Sequence, residues 1–252
     1  MQVNAIVLAG RANDGKLREC SDVPYEALLP LGGKPMLYHV VKALEEAQAV
    51  ERVVVVGPPE HLTSAVAGTG ARVTPPGQDV LDNIMIGLSS LPQDQKVLVA
   101  TSDIPLITGP IVDDFLAACE ERGDADFYYA IVPKEYCEEA FPGVHRTYLT
   151  LKDGTFTGGN LFVVKPGVLA GRQELIRRLY DARKNPLQMV TIVGFPLLFG
   201  VLRHAYTVED AERIVSERFG IVGRAVKTSH PEIGVDVDKP SDYELAQSVL
   251  GA

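Results

Sequence analysis

Five short apolar runs, at residues 3–9, 52–56, 96–100, 126–132 and 160–164, constrain this chain most. Their apolar side chains are nearly continuous. A strand with one wet face alternates apolar and polar residues, whereas a strand covered on both faces does not. Helical stretches lie between the runs. Pro35, a good first-turn residue, opens one in which Met36, Leu37, Val40, Val41 and Leu44 share a stripe. Residues 79–91 and 109–121 have the same character. Alternating β and α segments imply an α/β fold, a mostly parallel sheet wrapped by helices in three layers.

In such sheets, ligands bind outside the carboxyl ends of the strands. Gly10 and Asp103 both fall at such ends, which puts them in one crevice. The run Ile6-Val7-Leu8-Ala9-Gly10-Arg11 breaks at its glycine into a long loop containing Lys16 and Arg18. That loop is charged and poor in bulky apolar side chains, so it is not expected to pack as core. Its backbone N–H groups can face a polyanion. Gly10 permits close approach, and Arg11 and Lys16 supply charge.

Further along, Thr147–Leu151 and Asn160–Val164 flank Lys152-Asp153-Gly154-Thr155, which reads as a hairpin and makes the sheet mixed. Residues 166–219 read as a helical insert within a single domain spanning 1–252. Thr207 and Asp210 within it form a capping-box pattern, with Asp in place of Glu. A strand is expected at 221–228, and a last helix from Pro240 or Ser241 to Leu250.

The apolar content of 46% is ample for a core, and the net charge of −9 argues against a nucleic-acid partner. Cys20, Cys119 and Cys137 form no CxxC pair, which fits reduced thiols in a cytoplasmic protein. The first apolar run is too short for a signal peptide. Leu187–Leu202 is almost uncharged, but it falls short of the ~20 residues that cross a bilayer, and Gly194, Pro196 and Gly200 interrupt it. It reads as a buried helix pair; an apolar acceptor pocket or a homodimer face is the lesser alternative.

Three segments carry a resemblance. Leu8-Ala9-Gly10 leads to Leu29-Pro30-Leu31-Gly32-Gly33-Lys34-Pro35-Met36; Asp103-Ile104-Pro105-Leu106 and Gly234-Val235-Asp236-Val237-Asp238-Lys239-Pro240 follow in order. Together they resemble the MobA-like nucleotidyltransferases, including molybdenum-cofactor guanylyltransferases and methylerythritol-phosphate cytidylyltransferases. The resemblance implies the Rossmann-like fold of nucleotide-diphospho-sugar transferases. It also implies transfer of NMP from an NTP, CTP or GTP, to a phosphorylated small-molecule acceptor, with loss of pyrophosphate.

It further implies Mg2+ held by Asp103 and Asp238, with Asp236 a competitor and Asp242 a helix cap. Magnesium favours one or two carboxylates plus phosphate oxygens. Asp103, Asp238 and Lys16 are then the candidate catalytic residues. Leu8, Ala9, Gly10, Arg11, Lys16, Gly77, Asn83 and Ser102 are candidates for the nucleotide. Asn83 corresponds to the position that meets the base; otherwise it is a solvent-facing helix residue. For the acceptor the candidates are Gly158, Gly159 and Asn160, whose structural alternative is a bulge or turn, with Arg146 and Lys165 as further cations. The five His show no metal spacing.

One departure stands out. Glu26 occupies a place where the family usually has a Lys facing the α-phosphate. Arg11, Lys16 or Lys34 must substitute, or Glu26 binds a cation, or the donor phosphates sit differently. Two alternatives compete with the leading reading. A glycosyltransferase of similar fold would carry Asp-x-Asp where this chain has Thr101-Ser102-Asp103. A non-catalytic nucleotide-binding module draws support only from Glu26.

Overall fold

The computed structural model describes residues 1–169, 171–182 and 203–251. The apolar segment 187–202 lies outside the described residues. The main sheet contains β1 (Val3–Leu8), β4 (Val50–Val56), β5 (Arg72–Thr74), β6 (Val97–Thr101), β7 (Phe127–Pro133), β8 (Leu149–Leu151), β9 (Gly154–Val164) and β10 (Gly223–Lys227). Pro30–Leu31 (β2) and Lys34–Pro35 (β3) form a separate small hairpin.

Across the main sheet the order is β5-β4-β1-β6-β9-β7-β10, with β8 paired to the start of β9. β5, β4, β1 and β6 run parallel. β9 runs antiparallel between β6 and β7, and β10 is parallel to β7. The sheet is therefore mixed and mostly parallel.

Both faces are covered along β1, β6 and the second half of β4, which explains their unbroken apolar runs; β7 instead alternates, and its Tyr129 is exposed. On one face Val3, Ala5 and Val7 of β1 and Leu98 and Ala100 of β6 share a core. It is closed by Leu37, Val40, Val41 and Leu44 of α1 (Met36–Glu46) and by Val112, Phe115 and Leu116 of α4 (Gly109–Glu121). On the other face Ile6, Val54, Val56, Val97 and Val99 meet Leu88 of α3 (Val80–Ser89) and Ile176 of α7 (Gln173–Ala182). A Cβ on Gly87 would stand 2.7 Å from Ile6 Cδ1, so α3 lies on β1 closely enough to exclude any side chain there.

The predicted hairpin forms, and its turn is Lys152-Asp153 between paired Leu151 and Gly154. Asp153 ties this turn to α8 (Val208–Phe219) by accepting from Val208 N–H at 3.1 Å. The capping box of Thr207 and Asp210 opens α8 as expected. Within 166–219 the described residues contribute α6 (Pro166–Leu169), α7 and α8. The last helix, α9, is Pro240–Leu250. Two short helices, α2 (Pro59–Leu62) and α5 (Lys134–Ala140), and strand β5 were not foreseen; at these lengths neither period has room to show itself. No described helix is long and apolar enough to cross a membrane.

The 11–27 loop corrects one expectation. Leu17 is fully buried and packs with Leu29, Leu31, Met36, Leu106, Val237 and Ala246 in a separate small core. Buried Asn13 closes the loop on itself, donating to Ser21 O at 2.8 Å and Val23 O at 3.0 Å. A single Leu in a polar run is enough to anchor it when a buried amide satisfies the backbone around it.

Candidate active site

The carboxyl ends of β1 and β6 open into a cleft of about 850 Å³. Leu8, Gly10 and Arg11 line it from β1, and Thr101, Ser102 and Asp103 from β6. Pro76, Gly77, Asp79 and Asn83 line it from the start of α3, and Tyr129, Gly159, Asn160 and Phe162 from β7 and β9. The register explains the convergence: Leu8 pairs with Val56 and Thr101 on its two sides, so both loops leave the sheet at one level.

Beside this cleft three carboxylates meet. Oxygen atoms of Asp103, Asp236 and Asp238 all lie within 4.8 Å of one another. Main chain sets this, because Val237 N–H donates to the Asp103 carbonyl at 2.8 Å. Asp238 stands just before α9, and buried Asp242 in the first turn of α9 accepts its backbone N–H at 3.2 Å. Asp242 therefore does not cap the helix, the part foreseen for it, but fastens the segment that carries Asp238.

Burial, reinforced by Asp236 and Asp238, pushes the Asp103 carboxyl up to about 6, against a hydrogen bond from Thr101 Oγ1. Asp236 is likewise raised by burial, with Arg146 opposing. Arg146 pairs with Asp236 and donates to Gly234 O. Acidic groups held together at such a cost in mutual repulsion fit a divalent cation, which lowers that cost.

Arg11 bridges two of the acidic positions. Its Nε lies 3.1 Å from Glu26 Oε2, and its Nη1 lies 2.9 Å from Asp238 Oδ1. Glu26 is buried, and burial pushes its carboxyl up to about 7; Arg11 opposes this, while Asp103, Asp238 and Asp14 add to it. Lys16 is exposed in the 3-10 turn Lys16–Glu19 and is not among the lining residues of the cleft.

Asn83 is not a solvent-facing helix residue. Its Oδ1 accepts from Gly77 N–H at 2.7 Å, and its Nδ2 faces Gly10, 3.6 Å from where a Cβ there would sit. Gly77 is constrained as well, since a Cβ would come 2.5 Å from Asp82 Cβ. Asp79 caps α3, accepting from Asp82 N–H at 2.9 Å. Arg177 of α7 pairs with Asp79 and, at 3.0 Å, with Asp82, so α7 braces this wall of the cleft.

The glycines of β9 do form an irregularity, where pairing with β7 shifts between Tyr129 and Ile131. Gly159 packs against Ile233 and Ala130, and Asn160 projects into the cleft. Gly158 instead lines a second, apolar cavity of about 400 Å³ with Phe156, Val208 and Val215. Tyr129 borders both. Lys165 follows the far end of β9, beside the start of β6, where Val97 pairs with Val164; it is remote from Asp103. Sequence reasoning missed Tyr129 and Asp79. Neither belongs to a motif, and only strand order and helix placement bring them to the cleft.

The model of the MobA-like NTP transferase domain matches residues 25–213. The match includes Glu26 and Asp103 and stops before Asp236. The chain is 36% identical over 238 residues to 2-C-methyl-D-erythritol 4-phosphate cytidylyltransferase of Streptomyces coelicolor, covering 89% of this chain and 77% of that one. It is 24% identical over 247 residues to 3-deoxy-manno-octulosonate cytidylyltransferase of Geobacter sulfurreducens, covering 88% and 91%.

Among solved structures, a hypothetical transferase from Thermus thermophilus superposes with a TM-score of 0.84 at 35% identity, over 96% of this chain and 100% of that one. A CMP:2-keto-3-deoxy-manno-octonic acid synthetase complexed with CTP gives 0.67 at 15% identity over 99% and 98%, a likeness of fold. With the fold, the cleft and these matches in agreement, the chain belongs to the MobA-like NTP transferase family of nucleotidyltransferases.

Proposed function

We propose that this protein is a Mg2+-dependent cytidylyltransferase-type enzyme. It transfers CMP from CTP to a phosphorylated small-molecule acceptor, with release of pyrophosphate. The observation that carries the reading is the Asp103, Asp236 and Asp238 cluster beside a cleft that also holds Gly10 and Asn83. The named relatives support the choice of base, since both are cytidylyltransferases.

On this reading Asp103 and Asp238 hold Mg2+, which supplies charge neutralisation at the phosphates when bound. Gly10 lets the donor approach the end of β1. Asn83, with its carbonyl engaged by Gly77, keeps its amide NH2 as a donor for an acceptor atom of the base. Gly159 and Asn160 face the acceptor side. The acceptor phosphate is itself the nucleophile, so the chain needs to orient it for in-line attack and no strong base is called for. Pyrophosphate release, measured with the four NTPs against a panel of phosphorylated sugars and polyols, tests the proposal. Release that needs CTP, an acceptor and Mg2+ together supports it. Release with a different NTP alone corrects the base, and turnover of nucleotide sugars in its place replaces the reading with glycosyl transfer.

A further inference from the structure

Glu26 is a carboxylate that the proposed reaction leaves without a task. Its side chain is 4% exposed and pairs with Arg11 at 3.1 Å. Main chain joins the same two residues: Glu26 N–H donates to the Arg11 carbonyl at 3.1 Å, and Ala12 and Tyr25 form an antiparallel bridge alongside. The contact between Arg11 and Asp238 is of another kind. It links side chains that are 61% and 48% exposed, and among the described residues no main-chain bond joins the two. Exposed ion pairs exchange easily, whereas a buried carboxylate stripped of its one cation is strongly disfavoured. Of its two partners, Arg11 therefore keeps Glu26 and releases Asp238.

Charge balance points the same way. Among the described residues, Asp103, Asp236, Asp238 and Glu26 face two guanidinium groups, those of Arg11 and Arg146, which leaves the four acids two positive charges short. Arg146 is held by Asp236 and Gly234. Arg11 is left to serve two acids at once, and one of them belongs to the cluster.

We infer that Arg11 is a resident counter-ion of the carboxylate cluster, hinged on Glu26, which yields Asp238 to an arriving divalent cation and turns to the nucleotide phosphates in the cleft. The inference rests on reading that cluster as a divalent-cation site. Glu26 is a positioning residue, since it acts through Arg11. The exchange makes and breaks no covalent bond; an ion pair on Asp238 gives way to a metal contact. A buried acid at this position then serves phosphate binding by holding the cation that does it.

Mn2+ alone, followed by the paramagnetic resonance of the free ion at about pH 8, is titrated into the wild type, Arg11→Met and Glu26→Gln. Arg11→Met is expected to bind Mn2+ roughly three- to tenfold more tightly, because a competing cation is gone. General damage weakens a site, so a gain is not a folding artefact. Glu26→Gln is expected to bind Mn2+ more weakly, since Arg11 then bears on Asp238 alone. At saturating Mn2+, Arg11→Met is expected to bind CTP roughly tenfold more weakly, and Glu26→Gln added to it to cause no further loss, because Glu26 acts through Arg11. Arg11→Lys, which keeps the charge but does not span both acids, should fall between and covers the case of a poorly folded Met variant. Unchanged or weaker Mn2+ binding in Arg11→Met, with normal binding by the wild type, overturns this inference and leaves the metal site standing. Failure of every protein to bind Mn2+ overturns both.

Discussion

The backbone N–H of Val237 donates to the carbonyl of Asp103 at 2.8 Å, so the two acidic segments are joined by main chain rather than by the side chains they present. Substitution of those side chains therefore tests chemistry with little disturbance of the fold. Asp103→Asn and Asp238→Asn are each expected to lower Mg2+-dependent pyrophosphate release by on the order of 10²-fold or more, with thermal midpoints close to wild type. Near-normal turnover in either variant removes that residue from the reaction.

Asp236 should behave differently, because it and Arg146 are mostly buried and paired, at 16% and 12% side-chain exposure. Removing either leaves a buried charge without its partner. Asp236→Ala and Arg146→Ala are each expected to cost roughly 2–4 kcal/mol in urea unfolding, and the double variant much less than the sum. Additive losses would mean that the pair is not coupled.

Two glycines that line the cleft should part company. A Cβ on Gly10 would sit 3.6 Å from Asn83 Nδ2 and Pro76, an ordinary contact, whereas one on Gly77 would collide with Asp82. Gly10→Ala is expected to keep its stability, and Gly10→Val, with two further methyl groups aimed at the cleft wall, to lose nucleotide affinity. Gly77→Ala is expected to lose roughly 1–3 kcal/mol of stability. Calorimetry with CTP, CMP and cytidine extends the test to the loop: Gly10→Val should weaken CTP more than cytidine, and Lys16→Ala, outside the cleft lining, should leave all three close to wild type. Equal losses for all three ligands would take the loop out of phosphate binding.

Glu26 supplies a pH dependence. Its folded value of about 7 lies above the ordinary 4.5. At pH 8 both folded and unfolded chains carry the charge, and the folded one bears the cost of burying it. As pH falls through 7 the folded chain takes up the proton first, and the gain is complete below the unfolded value. Relative to Glu26→Gln, the wild type in EDTA should therefore gain stability between pH 8 and pH 5, on the order of 2 kcal/mol. A stability difference that stays constant across that range contradicts the shift.

The strands with both faces covered were legible because burial on two sides writes itself into each residue. The α1 stripe and the Thr207 capping box were legible because their partners lie within a turn of one another. Gly10 and Asp103 were brought together by a rule about strand ends. What stayed hidden depends on partners far apart in sequence. For Asn83, base contact and a solvent-facing helix position both stayed open, because its partner, Gly77 N–H, lies in the loop before the helix. Lys165 looked available because strand direction decides which end of β9 reaches the cleft, and the hairpin alone does not say which neighbours β9 will take. The Glu26–Arg11 pair joins ends of a loop whose closure rests on buried Asn13, and nothing in the loop's composition announces that.

The reversed direction of β9 separates the two walls of the cleft in the way their chain arrives as well as in space. One wall ends on β1, β6 and α3, and the β1 and β6 loops leave the sheet at one level. Opposite it, β9 enters from the β8 hairpin, which among the described residues pairs with no strand but β9 and whose turn is tied to α8. That turn is held by α8 and by Lys227 of β10, so a change of its length bears on them before it bears on Gly10 or Asp103. On the proposed function, the acceptor side of the cleft is then the side where the chain can vary while the donor side keeps its place.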